Sequence, residues 1–303
     1  MANAILDQLI AGMRAGGPDF GGPPLEARAS FAALLETMPE PAGVAFTETS
    51  LGGVPALECR ADGTSDDAVL LYLHGGAYIA GSARGYRGLP SSLGRAAGIR
   101  AIALDYRLAP EAPFPAAVDD VVAAYGALIA QGIDPSRIVF AGDSAGGGLT
   151  VAALIALRHT GKPLPAAALL LSPWVDLTGE SASWQSKADA DPSLTPAGLA
   201  ASAGHYLQGQ DARAPLASPL FADLSGLPPL MIQVGSSEIL LDDATGLAAR
   251  AGAAGTSVRL EVWSQMIHVW QAFSFMLPEG QQAIDAAGQF LRDRLSAAAA
   301  GGQ

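Results

Sequence analysis

A serine flanked by small residues is the strongest chemical signal in the chain. Residues 142–146 read Gly-Asp-Ser-Ala-Gly, and they follow the apolar run 138–140 and precede a predicted helix to about Arg158. In a G-x-S-x-G turn between a strand and a helix, the serine hydroxyl is exposed at a sharp bend, and the positive helix end favours developing negative charge. The pattern predicts Ser144 as a nucleophile. The alternative is a tight turn that merely needs small residues.

Two glycines upstream offer backbone donors. Gly75 and Gly76 follow His74 at the end of the first long apolar run. Acyl transfer needs N–H groups directed at the oxygen that becomes negative, and glycines let the backbone approach closely. We expect the N–H groups of Gly75, Gly76 and Ala145 to form an oxyanion hole. His74 and Asp143 are expected to support these motifs, and an ordinary Gly-Gly turn is the alternative.

Four histidines are candidates for the base: His74, His159, His205 and His268. In hydrolases with this serine turn the chain order is serine, acid, histidine, so the base must follow Ser144. His159 is on the helix directly after the serine, too close in sequence to reach back, and a polar helix face explains His205. His268 follows the last predicted strand in a loop that can reach the serine. We predict His268 as the base, with a surface-loop histidine as the alternative.

The acid that orients this histidine is expected just after the preceding strand, residues 230–234. Glu238 comes first and falls in the loop, whereas Asp242 and Asp243 are predicted to begin the next helix. A carboxylate in this position holds the imidazole tautomer and stabilises the imidazolium, and either Asp or Glu can serve. We predict Glu238, with Asp242 as the alternative.

The elements that must position these residues follow a regular pattern. Short apolar runs at 68–73, 99–104, 138–140, 167–171, 230–234 and 258–262 alternate with helical segments. Strands that are buried on both faces read as continuous apolar runs, and their alternation with helices is typical of crossover connections. The sequence therefore predicts an α/β fold with a mostly parallel, doubly wound sheet.

Two segments fall outside this alternation. Helical patterns at 5–13 and about 25–38 precede the first strand run, and residues from about 178 to 217 contain no strand candidate. Because open α/β sheets place their sites at the carboxyl ends of the strands, both segments are candidates for a helical cap there. The predicted division is cap 1–45, core 46–177, cap 178–217 and core 218–303. Phe20, Trp184 and Tyr206 are candidates for the pocket wall, although packing explains each equally well.

Composition excludes several classes of protein. The 303 residues carry a formal net charge of −12, with no basic cluster, which disfavours nucleic acids and anionic lipid. Cys59 is the only cysteine, and no histidine–carboxylate cluster suggests a metal site. The first residues lack a basic stretch, and no apolar run reaches membrane-spanning length. We expect a soluble cytoplasmic protein without cofactor, metal, nucleic-acid or membrane partner.

Taken together, the motifs resemble those of the bacterial hormone-sensitive-lipase-like esterases, family IV. The resemblance runs from about residue 68 to 292. It rests on residues 74–76 (His-Gly-Gly), 105–111 with 113–115 (Asp-Tyr-Arg-Leu-Ala-Pro-Glu, Pro-Phe-Pro), 142–147, 172–176 (Ser-Pro-Trp-Val-Asp) and 266–268. It implies an α/β-hydrolase core with a helical cap, cofactor-free hydrolysis of short- to medium-chain acyl esters, and a homodimer.

Three residues depart from the family pattern. Ala77 stands where the third glycine of the oxyanion loop is usual, and Glu238 stands where the acid is usually Asp. Val269 follows the histidine where glycine is frequent. These departures leave the identity of the acid and the shape of the pocket wall open.

Other functions on the same scaffold remain as alternatives. A lactone, an amide or an acetylated sugar could replace the simple ester, because the cap side chains set the pocket. A ligand-binding receptor on this scaffold is a further alternative, but such receptors usually lack the histidine, and His268 is present. We therefore expect a serine carboxylesterase acting on a small-molecule ester.

Overall fold

The computed structural model describes residues 4–301 and the side chains of residues 4–297. A single eight-stranded sheet has the order β1-β2-β4-β3-β5-β6-β7-β8. The strands are β1 (Val44–Leu51), β2 (Val54–Ala61), β3 (Ser65–Leu73), β4 (Ile99–Leu104), β5 (Ile138–Asp143), β6 (Ala167–Leu171), β7 (Leu230–Gly235) and β8 (Val258–Trp263). Strands β3 to β8 are parallel, and β1, β2 and β4 pair antiparallel. The predicted mostly parallel sheet is confirmed.

Helices cover both faces of this sheet. They are α1 (Ala4–Gly16), α2 (Pro24–Glu36), α3 (Gly88–Ala97), α4 (Ala116–Ala130), α5 (Ala145–His159), α6 (Ser183–Ser186), α7 (Pro196–Leu207), α8 (Leu241–Ala253) and α9 (Pro278–Gly301). Helix α3 packs against α9, and α4 packs against α5. Strands β5, β6 and β7 lie between the helical layers and are buried along their whole length, which is why they read as apolar runs.

The hairpin of β1 and β2 is the main element that the apolar runs do not predict. Its first strand has four consecutive polar residues at 47–50, and most of its side chains are exposed. Gly52 and Gly53 connect the two strands with φ angles of 60° and 86°, which is the left-handed backbone that tight hairpin turns require. The hairpin extends the sheet beside β4, away from the carboxyl end of β5.

The segment 178–217 contains α6 and α7 and no strand among its residues, as predicted. It contacts the N-terminal helical segment, since Ser202 Oγ donates to the Phe20 carbonyl at 3.2 Å and Arg14 Nη2 donates to the Asp189 carbonyl at 2.8 Å. Strand β1 begins at Val44, so the predicted boundary at residue 45 falls inside a strand. Residues 1–3 and 302–303, which the predicted division included, lie outside the described residues.

A second hydrophobic cluster lies apart from the main core. It joins Leu6 of α1 to the chain that follows β8, and its other members are Met266, Ile267, Trp270, Phe273, Leu277 and Ala283. Two of these residues directly precede His268 in sequence. Helix α1 is therefore packed against the segment that carries the predicted base.

Within residues 4–301, no helix is both long enough and apolar enough to cross a bilayer. The same residues contain no group of three or more His, Cys, Asp or Glu side chains arranged to hold a metal ion. The cytoplasmic location and the lack of nucleic-acid and membrane partners stay predictions.

Candidate active site

Ser144 occupies a strained turn between β5 and α5. Its backbone angles are φ 54° and ψ −122°, a region that costs a non-glycine residue about 1–3 kcal/mol and persists only when the surroundings fix it. The Ser144 N–H donates to the Leu171 carbonyl and its carbonyl accepts from Trp174 N–H, both at 2.9 Å. A Cβ on Gly142 would overlap the Gly146 carbonyl oxygen, so the turn requires these glycines, as the motif indicated.

His268 and Glu238 form a hydrogen-bonded pair. The two atoms that join them are His268 Nδ1 and Glu238 Oε2, 2.8 Å apart. The Glu238 side chain is fully buried, and that of His268 is 10% exposed. Because Nδ1 faces the carboxylate, the other ring nitrogen, Nε2, is the one that can exchange a proton with a substrate or a nucleophile.

Glu238 is held in place by its second carboxylate oxygen. Oε1 accepts from the Gly235 N–H at 2.6 Å and from Ser172 Oγ at 2.8 Å. Ser172 Oγ in turn accepts from the N–H of Val269, the residue after the histidine, at 3.2 Å. Ser172 therefore connects the acid to the histidine loop. Ser172 lies in the 172–176 motif, but nothing in that sequence indicates this role.

The alternative residues lie elsewhere. Asp242, the other candidate acid, accepts from the Ser183 N–H at 2.8 Å, and Asp243 accepts from the N–H groups of Val175 and Asp176. Both aspartates belong to the first turn of α8, as predicted. His159 is exposed at the end of α5, and His205 is half-buried in α7. None of these four side chains is paired with His268.

The structure changes one part of the predicted oxyanion hole. The Gly75 N–H donates to Asp143 Oδ1 at 2.9 Å, so this donor is already occupied. The N–H groups of Gly76 and Ala77, by contrast, donate to no residue that the structure describes. Gly76 and Ala77 also line the same cavity as Ser144, whereas Gly75 does not. The expectation for Gly75 is therefore wrong in this geometry, because its N–H points to a carboxylate of the neighbouring strand.

Asp143 links the serine turn to this loop. Besides the Gly75 N–H, its carboxylate accepts from Tyr72 Oη at 2.5 Å and from Tyr86 Oη at 3.1 Å. Burial raises the pKa of Asp143 to about 6, although these donors and His268 act in the opposite direction. The adjacent His74 ring stacks on Tyr106, with 4.4 Å between ring centroids, and its Nδ1 lies 2.7 Å from the Gly75 carbonyl. Both residues therefore hold the loop 74–77 in place.

The pKa of His268 depends on three carboxylates. Burial alone would lower this pKa, but the hydrogen bond to Glu238 and the negative charges of Glu238, Asp191 and Asp143 outweigh burial and raise it above the ordinary value. Asp191, in the segment between α6 and α7, is a buried side chain that no motif in the sequence marks. Its position in the middle of a helical insertion gave no signal.

A cavity of about 760 Å³ opens onto Ser144 and His268. One side is formed by residues of α1, α2 and the chain up to Ala42, and the other by residues 272–276. Phe20 lines it, whereas Trp184 and Tyr206 are buried in packing and do not. Among the described residues that line it there is no Lys or Arg, and the carboxylates on its wall are Glu40 and Asp143.

The chain is similar to known hydrolases in sequence and in fold. Residues 70–272 match the alpha/beta hydrolase fold family. An acetyl-hydrolase of Streptomyces hygroscopicus is 55% identical over 227 residues, which cover 75% of this chain and 76% of that protein. A crystal structure of an esterase from the bacterial hormone-sensitive lipase family superposes with a TM-score of 0.94 at 50% identity, covering 97% of this chain and 99% of that one. The structure of EstE5 soaked by p-nitrophenyl butyrate superposes with a TM-score of 0.93 at 43% identity, covering 97% and 100%.

The chain therefore belongs to the α/β-hydrolase fold family, among its hormone-sensitive-lipase-like esterases, and is a carboxylic-ester hydrolase.

Proposed function

We propose that this hydrolase cleaves neutral, apolar esters through a covalent acyl-enzyme on Ser144, with His268 as the base and Glu238 as the acid that orients it. The observation that carries the proposal is the hydrogen bond between His268 Nδ1 and Glu238 Oε2, on a histidine that shares its cavity with Ser144. The pair fixes the imidazole tautomer in which Nε2 is free of its proton and can accept one.

The reaction has two steps, acylation of Ser144 and hydrolysis of the acyl-enzyme. Ser144 Oγ forms a bond to the ester carbonyl carbon while His268 Nε2 takes the hydroxyl proton. The C–O bond to the leaving group then breaks as His268 returns the proton to the alkoxide oxygen. A water molecule then attacks the acyl carbon and gives a proton to His268 Nε2. The bond between the acyl carbon and Ser144 Oγ breaks as His268 returns that proton to Oγ, which releases the carboxylic acid. Glu238 stabilises the imidazolium that forms in each step.

The N–H groups of Gly76, Ala77 and Ala145 support an oxyanion hole in this proposal. None of them donates to a residue that the structure describes, and Ala145 begins the helix whose positive end lies at the serine. Ala77 has a φ of 53°, so this residue adopts a left-handed backbone conformation despite carrying a methyl group where glycine is usual. Donors held rigidly in a dry site are typically the largest single contribution to stabilising the transition state.

The cavity supports an uncharged, apolar substrate. Its volume lies within the range of cavities that enclose ligands of drug size, and a carboxylate in the substrate would meet Asp143 without any Lys or Arg on the described wall. Burying an unpaired charge is costly. The acetyl-hydrolase relative supports acetyl esters as the shortest substrates, and the space towards α1 and α2 accommodates longer chains.

We further propose that the helical segments at 4–43 and 178–217 act as the cap, and that two copies form a homodimer. The hydrogen bonds from Ser202 to Phe20 and from Arg14 to Asp189 support a joint cap. Strand β8 lies at the edge of the sheet and pairs on one side only, with Leu260 and Val262 exposed on it. An exposed apolar edge strand favours pairing with a second copy.

The test is a series of p-nitrophenyl esters from acetate to decanoate on the wild type and on Ser144→Ala. We expect hydrolysis by the wild type and loss of about 10⁴-fold or more in kcat for the variant, because the nucleophile is removed. His268→Gln should be equally inactive, while His159→Gln, altered at an exposed histidine, should keep wild-type rates. Activity in Ser144→Ala would contradict the proposal.

Charge selectivity is measured in the same series. p-Nitrophenyl hemisuccinate has nearly the length of the valerate but ends in a carboxylate, and its kcat/KM should be lower by about tenfold or more. Equal values for the two esters would contradict the neutral-substrate part of the proposal and leave the triad untouched.

A further inference from the structure

Asp191 connects two segments that are far apart in sequence. Its Oδ1 accepts from the N–H groups of Ser193 and Leu194, at 2.9 and 3.0 Å, within the insertion. Its Oδ2 accepts from the Ile239 N–H at 2.9 Å, in the loop between β7 and α8. The side chain is 7% exposed, so a buried carboxylate joins the insertion to the loop that carries the acid.

Both ends of this link belong to the site. Ile239 directly follows Glu238, so the hydrogen bond from its N–H fixes the backbone that carries the acid. Ser193 and Leu194 line the cavity that contains Ser144 and His268. One carboxylate therefore fixes the position of the cavity wall relative to the acid.

The charge of Asp191 also acts on the base. The negative groups that raise the pKa of His268 are Glu238 by direct contact, Asp191 from the insertion and Asp143 from the serine turn. The pKa of Asp191 itself is raised, chiefly by burial and also by the charge of Glu238. The charge of His268 and the N–H groups of Ile239 and Leu194 act in the opposite direction. The imidazolium formed during the reaction is therefore stabilised by a buried negative charge besides its own partner.

We propose that Asp191 is a positioning residue for ester hydrolysis: it holds the Glu238 loop against the cavity wall and adds a further negative charge to those of Glu238 and Asp143 near His268. The insertion thereby takes part in the acid–base step as well as covering the substrate. This inference rests on the proposed function of Ser144, Glu238 and His268.

The test compares Asp191→Asn with the wild type in kcat/KM from pH 5 to pH 9, using p-nitrophenyl butyrate. The wild type should lose activity towards low pH with a midpoint above the ordinary histidine value of about 6.5, because the raised pKa of His268 means that it is protonated below that point. In Asp191→Asn the midpoint should move to lower pH by about half a unit, because a charge that favours the imidazolium is gone. The kcat should fall about 3- to 30-fold with KM nearly unchanged.

Asp243→Asn is the matched control. Asp243 is also buried in the same region and also accepts backbone N–H groups, two from Val175 and Asp176 where Asp191 accepts three, but it is not one of the carboxylates named above that raise the pKa of His268. Its midpoint should equal that of the wild type, whatever its thermal stability. If Asp191→Asn does not fold, Asp191→Ser, which keeps one oxygen acceptor without the charge, is measured instead.

Two outcomes distinguish a failure of the Asp191 inference from a failure of the proposed function. If the wild type loses activity at low pH as expected but the midpoint of the Asp191 variant is unchanged, the inference is overturned. Asp191 would then have a structural role only. A wild type whose kcat/KM is flat from pH 5 to neutrality would overturn the proposed function of His268 instead.

Discussion

Replacing Glu238 by glutamine isolates the contribution of a single carboxylate oxygen. In Glu238→Gln the amide can keep a carbonyl oxygen where Oε1 accepts from Gly235 N–H and Ser172 Oγ, at 2.6 and 2.8 Å. The NH₂ group of the amide would then replace Oε2, 2.8 Å from His268 Nδ1. Two donors would face each other unless the imidazole moves its proton to Nε2, and that tautomer cannot accept the Ser144 proton.

The expected loss follows from this tautomer. In serine triads the equivalent acid-to-amide change lowers kcat by about 10⁴-fold, which corresponds to about 5 kcal/mol of transition-state stabilisation. Because two of the three hydrogen bonds survive, the loss in free energy of unfolding should stay at about 1–3 kcal/mol, and the protein should remain folded at 25 °C. Steady-state hydrolysis of p-nitrophenyl butyrate measures the first quantity, and thermal unfolding followed by circular dichroism measures the second.

Asp242→Asn is the comparison that makes this experiment decisive. Asp242 lies four residues along the chain and accepts from Ser183 N–H rather than pairing with His268. Its kcat should remain within a few-fold of the wild type. If Glu238→Gln keeps more than about a tenth of the wild-type kcat, or if Asp242→Asn is the inactive variant, the assignment of the acid is refuted.

Two further predictions concern the serine turn and the edge strand. Gly146→Ala should lower the free energy of unfolding by about 4 kcal/mol or more, because the added Cβ would overlap the Leu73 carbonyl oxygen. A much lower melting temperature and a reduced soluble yield would show this loss. Gly126→Ala is the control, since Gly126 lies on α4 with nothing within 4 Å of the added Cβ, and it should stabilise the protein by about 0.5–1 kcal/mol. If this variant also loses stability, the overlap at Gly146 is not the cause of the loss there. Val262→Lys on β8 should convert a dimer to a monomer in light scattering with the fold intact, and a wild type that is monomeric at high concentration would exclude the proposed dimer.

The parallel part of the fold was predictable because burial on both faces leaves continuous apolar runs such as Ala167–Leu171, whose bounds agree with the structure. The β1–β2 hairpin was not, since four consecutive polar residues at 47–50 interrupt any apolar run in β1 and most of its side chains are exposed. Helix α3 was also missed, because its ten residues contain two glycines, a proline and two serines, which weaken a helical pattern. In both cases contacts across the sheet override a weak local signal.

In the candidate site, chain order and position after a strand were enough to select Ser144, Glu238 and His268 as candidates. Hydrogen-bond directions were not accessible in this way. The glycine pattern predicts Gly75 as an oxyanion donor, but the direction of its N–H depends on Asp143, 68 residues away. Asp191 escapes sequence reasoning for a similar cause, because its partner Ile239 is brought beside it only by the folded insertion.

The small cluster that joins Leu6 to Trp270 and Phe273 has a consequence for how the enzyme responds to heat. It is separate from the main core, so α1 and the histidine segment can open together while the sheet stays intact. Hydrogen exchange at Met266 and Ile267 should then track exchange in α1. Catalytic activity should be lost at a lower temperature than the far-ultraviolet circular dichroism signal of the sheet. The reason is that His268 moves away from Ser144 before the chain unfolds.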